Sequence, residues 1–315
     1  LRTIGGIDAL DRALRRPVVT IGNFDGVHLG HRAILKTVVG RAKDLAGEAV
    51  VYTFEPHPRK VLRPETAPRL LTTLDQKIEL MEQAGVDAVI VEPFTLEFAR
   101  TEAEDFIRRR LHGALHPVEV YVGYDFHFGR DRVGSMRLLT ELGPRLGFSV
   151  TIIPEVTVEG GDVNSTRIRQ LLADGEPERA ARMLGRPFTV RGRVVRGDER
   201  GRTLGFPTAN LDPENEVLPA PGVYAGHLRV LDDGDPPKGR LLPAVTNVGR
   251  RPTFGGDAIR AEAHAIDWQG DLYGRRVEVS FALRLRGERR FEDAAALRRQ
   301  IGADVAEARR RLEAS

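Results

Sequence analysis

A chain of 315 residues can bury a sizeable core and falls in the range where two domains are expected rather than one. Charged residues make up 30% of it, yet the net charge is only +3, so no global field argues for nucleic acid. Cysteine is absent, which excludes a disulfide scaffold, a thiolate nucleophile and a Cys-ligated metal and suits a reducing compartment. Residues 1–8 lack the basic and apolar regions of a signal peptide, and no apolar run approaches membrane-spanning length. The expectation is a cytoplasmic protein of small anionic ligands, with no nucleic acid and no membrane as partner and its oligomeric state left open.

The first predicted unit runs from Val18 to His31. Val18, Val19, Thr20 and Ile21 make a short buried strand, Gly22, Asp25 and Gly26 turn the chain sharply, and an apolar-periodic helix over residues 28–45 follows. A helix N-terminus beyond the carboxyl end of a strand offers free N–H groups and a positive dipole end to a phosphate. His28 and His31, three apart, share one face of its first turn. The same spacing also occurs in surface pairs without a role and in metal sites, although no His-Glu-x-x-His accompanies it here.

A strand over residues 49–54 then leads into Glu55-Pro56-His57-Pro58, a stiff loop. A helix over 75–84, a strand over 88–91 and a helix opened by the capping-box pattern Thr101-Glu102-Ala103-Glu104 continue the alternation. The strand over 118–122 runs into Gly123-Tyr124-Asp125-Phe126-His127-Phe128-Gly129, whose aromatics are either core or the wall for a flat ring. A helix over 135–146 and a strand over 148–153 complete the pattern. Strands separated by helices imply a doubly wound parallel sheet, an α/β domain. In Val163-Asn164-Ser165-Thr166-Arg167-Ile168-Arg169 the hydroxyls sit where a helix starts, as an N-cap would. Arg169, a turn later, adds a cation suited to a polyphosphate.

The pattern changes after a short helix over 176–184 and the breaker Gly185-Arg186-Pro187. Strands then follow one another over 188–195, 223–230, 243–248, 260–267 and 276–285, an antiparallel sheet or small β-barrel closed by a helix over 291–312. That helix carries Leu297, Ile301, Val305 and Leu312 on one side and an arginine-rich solvated face on the other. Between the first two strands, Gly192, Gly197, Gly201 and Gly205 read either as a glycine-rich hairpin or as a loop whose bare amides approach phosphates. By alternation Glu262 and His264 share one strand face.

His28-Leu29-Gly30-His31 is similar to the His-x-Gly-His signature of nucleotidylyltransferases. With Gly22-Asn23-Phe24-Asp25-Gly26 ahead of it, the run resembles the bacterial bifunctional riboflavin kinase and FAD synthetase family. Residues 164–169 resemble that family's Ser-Ser-Thr-x-Ile-Arg motif, with Asn164 in place of the first serine. Leu204-Gly205-Phe206-Pro207-Thr208-Ala209-Asn210 resembles its kinase signature, Glu262-Ala263-His264 its Glu-x-His, Asp267 to Gly274 contains its Asp-Leu-Tyr-Gly run, and Asn247 to Phe254 resembles a further loop near the substrates.

The resemblance implies an FMN adenylyltransferase domain over 1–184 and a riboflavin kinase domain over 185–315. Riboflavin and ATP would give FMN, and FMN and ATP would give FAD and pyrophosphate, with Mg²⁺. In the first domain it implies ATP binding by Gly22, Phe24, Asp25, Gly26, Ser165, Thr166 and Arg169, with His28 and His31 on the α and β phosphates. Phe54, Pro56, His57, Asp125, Phe126 and Phe128 would wall the flavin and nucleotide. In the second it implies ATP binding by Gly197, Gly201, Gly205, Pro207, Thr208 and Asn210, metal binding by Thr208 and Asn210, and Glu262 as the base. Arg289, Arg290 and Phe291 fall where the last strand meets the helix. A flavin-binding module could dispense with His28, His31 and Glu262, and an RNA-binding protein would interleave basic residues with aromatics.

Overall fold

The structure is a computed structural model describing residues 1–197, 201, 204–234, 237–253, 256–268 and 270–314. The chain divides into two compact units, Leu1–Asn164 and Ser165–Ser315.

The first unit holds strands β1 (Arg2–Ile4), β2 (Val18–Ile21), β3 (Ala49–Glu55), β4 (Ala88–Pro93), β5 (Glu119–Gly123) and β6 (Ser149–Ile153) in one sheet of order β1-β4-β3-β2-β5-β6. Every pairing in it is parallel. Alternate residues of its central strands feed two cores, as a sheet covered on both faces requires. Val19, Ile21, Tyr52 and Phe54 join Phe106, Leu111 and Leu139 on one face. Val18, Val51 and Val89 join Leu35, Val38 and Met81 on the other. Those apolar residues belong to helices α1 (Leu29–Asp44), α3 (Leu74–Gln83) and α6 (Met136–Arg145), and to a helical segment that starts at Ala103–Asp105 and continues with π-type bonding over Phe106–Leu115. The short α2 (Pro58–Leu62) follows β3, the one-turn α4 (Leu96–Ala99) and α5 (Ala103–Asp105) follow β4, and the hairpin of β7 (Thr157–Val158) and β8 (Gly161–Asp162) follows β6.

Several boundaries differ from expectation for local reasons. Thr73 and Gln76 form a reciprocal capping box on α3, whereas the Thr101 pattern forms none. There the helix begins one residue later, behind Glu102 without a side-chain cap, and Thr95 instead caps the one-turn helix Leu96–Ala99. The edge strand β1 is too short for a periodic signal. Its neighbourhood is tied down by buried Glu92, which accepts from the Ile7 N–H at 2.9 Å and the Tyr52 hydroxyl at 2.8 Å.

The second unit opens with α7 (Ser165–Ala173) and α8 (Pro177–Leu184), the latter ended by Gly185 at φ 70°. Strands β9 (Phe188–Val195), β10 (Ala209–Pro213), β11 (Gly222–Val230), β12 (Leu241–Thr253), β13 (Gly256–Ala265) and β14 (Arg276–Phe281) pair antiparallel in the order β12-β13-β10-β9-β14-β11. β11 pairs back to β12, so the sheet closes into a barrel. The last expected strand is broken at Ala282, and its second half, Leu283–Arg286, pairs farther along β11. Residues 247–253 are part of β12 rather than a loop, and Phe254 and Gln269 of the two family runs lie outside the described residues. The C-terminal helix α9 spans Ala294–Glu313. Val305 and Leu312 pack with Ala308 against Val223, Ala225 and Val245 of the barrel. The most buried polar residue of α9 is Asp304, 5% exposed, whose carboxylate takes a forked bond from the Arg286 guanidinium at 2.7 and 3.0 Å.

Candidate functional sites

Strand order gathers the first site. β3, β2 and β5 are neighbours, so the loops after their carboxyl ends lie side by side, and these carry Pro56 and His57, the turn from Gly22 to His31, and Asp125 to Phe128. The order along the sheet reverses between β2 and β5, where a parallel sheet binds ligands. Within the turn, Gly26 adopts φ 80° and the Gly22 N–H donates to the Tyr52 carbonyl at 3.1 Å. Asp25 is buried and its carboxylate accepts from the Leu71 and Thr72 N–H groups at 2.9 and 3.2 Å. Phe24 is 1% exposed, with its ring in the core. The side chains of Phe24 and Asp25 therefore set the loop, and its backbone is what remains for a ligand.

His28 is the N-cap of α1. Its Nδ1 accepts from the His31 N–H at 3.3 Å, so Nε2 carries the proton of the neutral ring. The N–H groups of Leu29 and Gly30 have no intrahelical acceptor. The His28 and His31 rings stack with centroids 3.7 Å apart and planes inclined by 16°. Gly30 permits this: a Cβ there would lie 3.2 Å from Cε1 and Nδ1 of His28. The Nδ1 of His31 is buried without a partner among the described residues. Burial, followed by the neighbouring His28 and Lys77, holds the His31 pKa well below 6.5, which favours the neutral ring.

Lys77 is a charge that no sequence signal singled out. It is 4% exposed on α3, and burial lowers its pKa against the opposing pull of Glu55 and Asp25. An amphipathic pattern assigns a lysine to the solvent face, so only the folded neighbours reveal it.

The expected aromatic wall divides. Phe54 and Phe128 are 9% and 8% exposed and belong to the core, Phe54 among Tyr52, Phe94 and Phe98 and Phe128 against Phe106. Phe126 stacks on Phe128 at 5.4 Å and is only partly covered, while Pro56 and Asp125 are exposed. His57 caps α2, accepting from the Arg59 N–H at 3.2 Å. Ser165 and Thr166 occupy the first two positions of α7, so Asn164 stands at the capping place, and Arg169 lies one turn on, all three helical residues in the second unit.

In the barrel, Asn210 of β10 is directly opposite Glu262 of β13, which is opposite Asn247 of β12. Directly opposed residues share a face. The intervening Ala261, Ala263 and Leu211 point into the barrel, so these polar residues point outward. Asn210 is nevertheless 5% exposed, because Gly197 lies against its amide so closely that a Cβ would collide with it. A Cβ on Gly201 would collide with the Phe206 carbonyl and sit 3.2 Å from Thr208 Oγ1. Gly205, at φ 85°, makes the turn before Pro207. These glycines serve close approach between the loop and β10, a strand absent from the sequence expectation because its five residues are mostly small or polar.

The Asn210 Oδ1 is buried and lacks a hydrogen-bond partner among the described residues. A neutral hard oxygen in that state, with the Thr208 hydroxyl nearby in sequence, fits a divalent cation whose other ligands come from phosphate and water. No group of three His, Asp or Glu that could hold a metal alone occurs among the described residues.

Comparison with known proteins agrees with both halves. Residues 10–167 match the FAD synthetase family model and residues 184–312 the riboflavin kinase model. The bifunctional riboflavin kinase/FMN adenylyltransferase of Escherichia coli strain K12 is 41% identical over 98% of this chain and 97% of its own length. That of Haemophilus influenzae is 37% identical over 97% of both. A crystal structure described as a macrolide-efflux protein from Streptococcus pneumoniae superposes with TM-score 0.85 over 98% of each chain at 30% identity. Among the described residues of the present chain no helix is long and apolar enough to cross a membrane. With full-length relatives at this identity and both halves matched in order, the chain belongs to the bifunctional riboflavin kinase/FMN adenylyltransferase family.

Proposed function

We infer that the chain makes FAD from riboflavin in two steps, phosphorylation in the C-terminal domain and adenylyl transfer in the N-terminal domain. The observation that carries this reading is a phosphate-ready site in each unit: the stacked His28 and His31 on a helix N-terminus, and Asn210 and Glu262 on neighbouring barrel strands. We place the functional boundary at 184/185, between the α7–α8 segment and β9, in keeping with the start of the kinase match at 184.

In the N-terminal domain an oxygen of the FMN phosphate attacks the α-phosphorus of ATP, a P–O bond forms, and pyrophosphate leaves. The nucleophile is already an anion, so catalysis is positioning and charge stabilisation rather than proton removal. His28 donates from Nε2 and the Leu29 and Gly30 amides from the helix end. The Gly22–Gly26 backbone shapes the floor, and the family resemblance assigns Ser165, Thr166 and Arg169 to the outer phosphates. Phe126, with exposed Pro56 and Asp125 and half-buried His57 at the rim and Phe54 and Phe128 in the core, borders the flavin.

In the kinase domain Glu262 accepts the proton of the terminal ribityl hydroxyl as its oxygen attacks the γ-phosphorus and ADP leaves. Thr208 and Asn210 would hold Mg²⁺, which when bound offsets charge on the phosphate oxygens. Gly197, Gly201, Gly205 and Pro207 shape the phosphate loop. The partners are small molecules, riboflavin, FMN and ATP, and the absence of cysteine fits a cytoplasmic setting.

Two substitutions test the division of labour. His31→Ala is expected to stop FAD formation while FMN still accumulates, and Glu262→Ala to stop FMN formation while supplied FMN is still converted to FAD. Loss of both reactions from either change in a folded protein would refute separate sites.

A further inference from the structure

His264 lies two residues beyond Glu262 on the same strand and has no part in the chemistry above. Its Nδ1 is 2.8 Å from the carbonyl oxygen of Pro207. A carbonyl only accepts, so Nδ1 carries the proton and donates. The ring also meets Phe206 edge-on, 5.4 Å between centroids at 86°.

The pairing of β10 with β13 explains why a side chain is used here. The register runs Leu211 with Ala261, Asn210 with Glu262 and Ala209 with Ala263, and one further step would set Thr208 against His264. Pro207 has no N–H and cannot carry the ladder onward. Its carbonyl is taken by the imidazole, which extends the link between the strands past the last backbone pair. On the far side of Pro207 the turn is closed by Phe206 and Leu204, whose N–H groups donate to the Gly201 carbonyl at 2.8 and 3.2 Å. His264 therefore grips the segment at the point where the glycine-rich loop becomes β10.

We propose that His264 is a positioning residue for riboflavin phosphorylation, holding Phe206–Pro207 on β13 so that Thr208 and Asn210 stand ready for the nucleotide phosphates. This rests on the assignment of kinase activity to the barrel domain. Without the hydrogen bond the segment must be ordered on binding, which weakens MgATP. Once bound, the phosphates hold it in place, so turnover persists.

The test is the kinetics of FMN formation by the full chain with MgATP varied at saturating riboflavin, for the wild type and His264→Ala, His264→Asn and His264→Gln. FAD formation from supplied FMN is measured on the same preparations. The asparagine amide nitrogen stands about where Nδ1 does, and that of glutamine reaches toward Nε2. His264→Ala and His264→Gln should raise the MgATP KM roughly fivefold, the worth of one net hydrogen bond, with kcat and FAD formation little changed. His264→Asn should restore most of the loss, which a mere packing role would not produce. An unchanged KM in His264→Ala, or His264→Asn impaired as much as His264→Ala, would overturn the positioning role. Absence of FMN from the wild-type chain would instead remove the kinase assignment on which it stands.

Discussion

At the scale of single residues, the contact between His28 and His31 was legible because it follows from their spacing. His28 and His31 must share a helix face, and Gly30 is the position where a side chain would obstruct the first ring. Asp25 was not legible in the same way. Its carboxylate serves Leu71 and Thr72, more than forty positions away, and no local pattern reports that partner. The environment of His31 has a measurable consequence. Because its folded pKa lies below 6.5, the unfolded chain takes up this proton first as acidity rises. Stability contributed by keeping the ring neutral is thus present above the ordinary histidine range and is lost as pH falls through it. Denaturant unfolding between about pH 7 and pH 5 should show a steeper loss of stability in the wild type than in His31→Gln. Equal slopes would mean that the ring is not held neutral.

At the scale of elements, the alternation of strands and helices gave the doubly wound sheet, and unbroken strand succession gave the barrel. Short or polar elements escaped. β1 has three residues, and β10 starts at the end of a signature whose glycine and proline read as loop. The contact that fixes α9 also escaped, since Arg286 and Asp304 look like ordinary surface charges in a chain with 30% charged residues. Folded, Asp304 is 5% exposed and takes three bonds from Arg286 at 2.7 to 3.1 Å, with Gln300 donating at 2.7 Å. Removing one partner strands the other charge in a desolvated place. Asp304→Ala is expected to destabilise the barrel domain by about 3–5 kcal/mol, seen as an earlier unfolding transition of that domain. An unchanged transition would show that α9 is held by its apolar contacts alone.

At the scale of the whole molecule, the two activities of the family, matched in order along the chain, make different chemical demands. Adenylyl transfer uses an anionic nucleophile and a site rich in fixed donors. Phosphorylation of an alcohol uses a neutral nucleophile, and the barrel places a carboxylate, Glu262, beside Asn210 on the next strand. FMN is the product of one and the substrate of the other. The most direct test of this account is chromatography of the flavins formed by the wild-type chain from riboflavin, ATP and Mg²⁺, and in a second reaction from FMN, ATP and Mg²⁺. The account predicts FMN followed by FAD in the first reaction and FAD in the second. FAD from supplied FMN without any phosphorylation of riboflavin would contradict the kinase half, and no product in either reaction would contradict both.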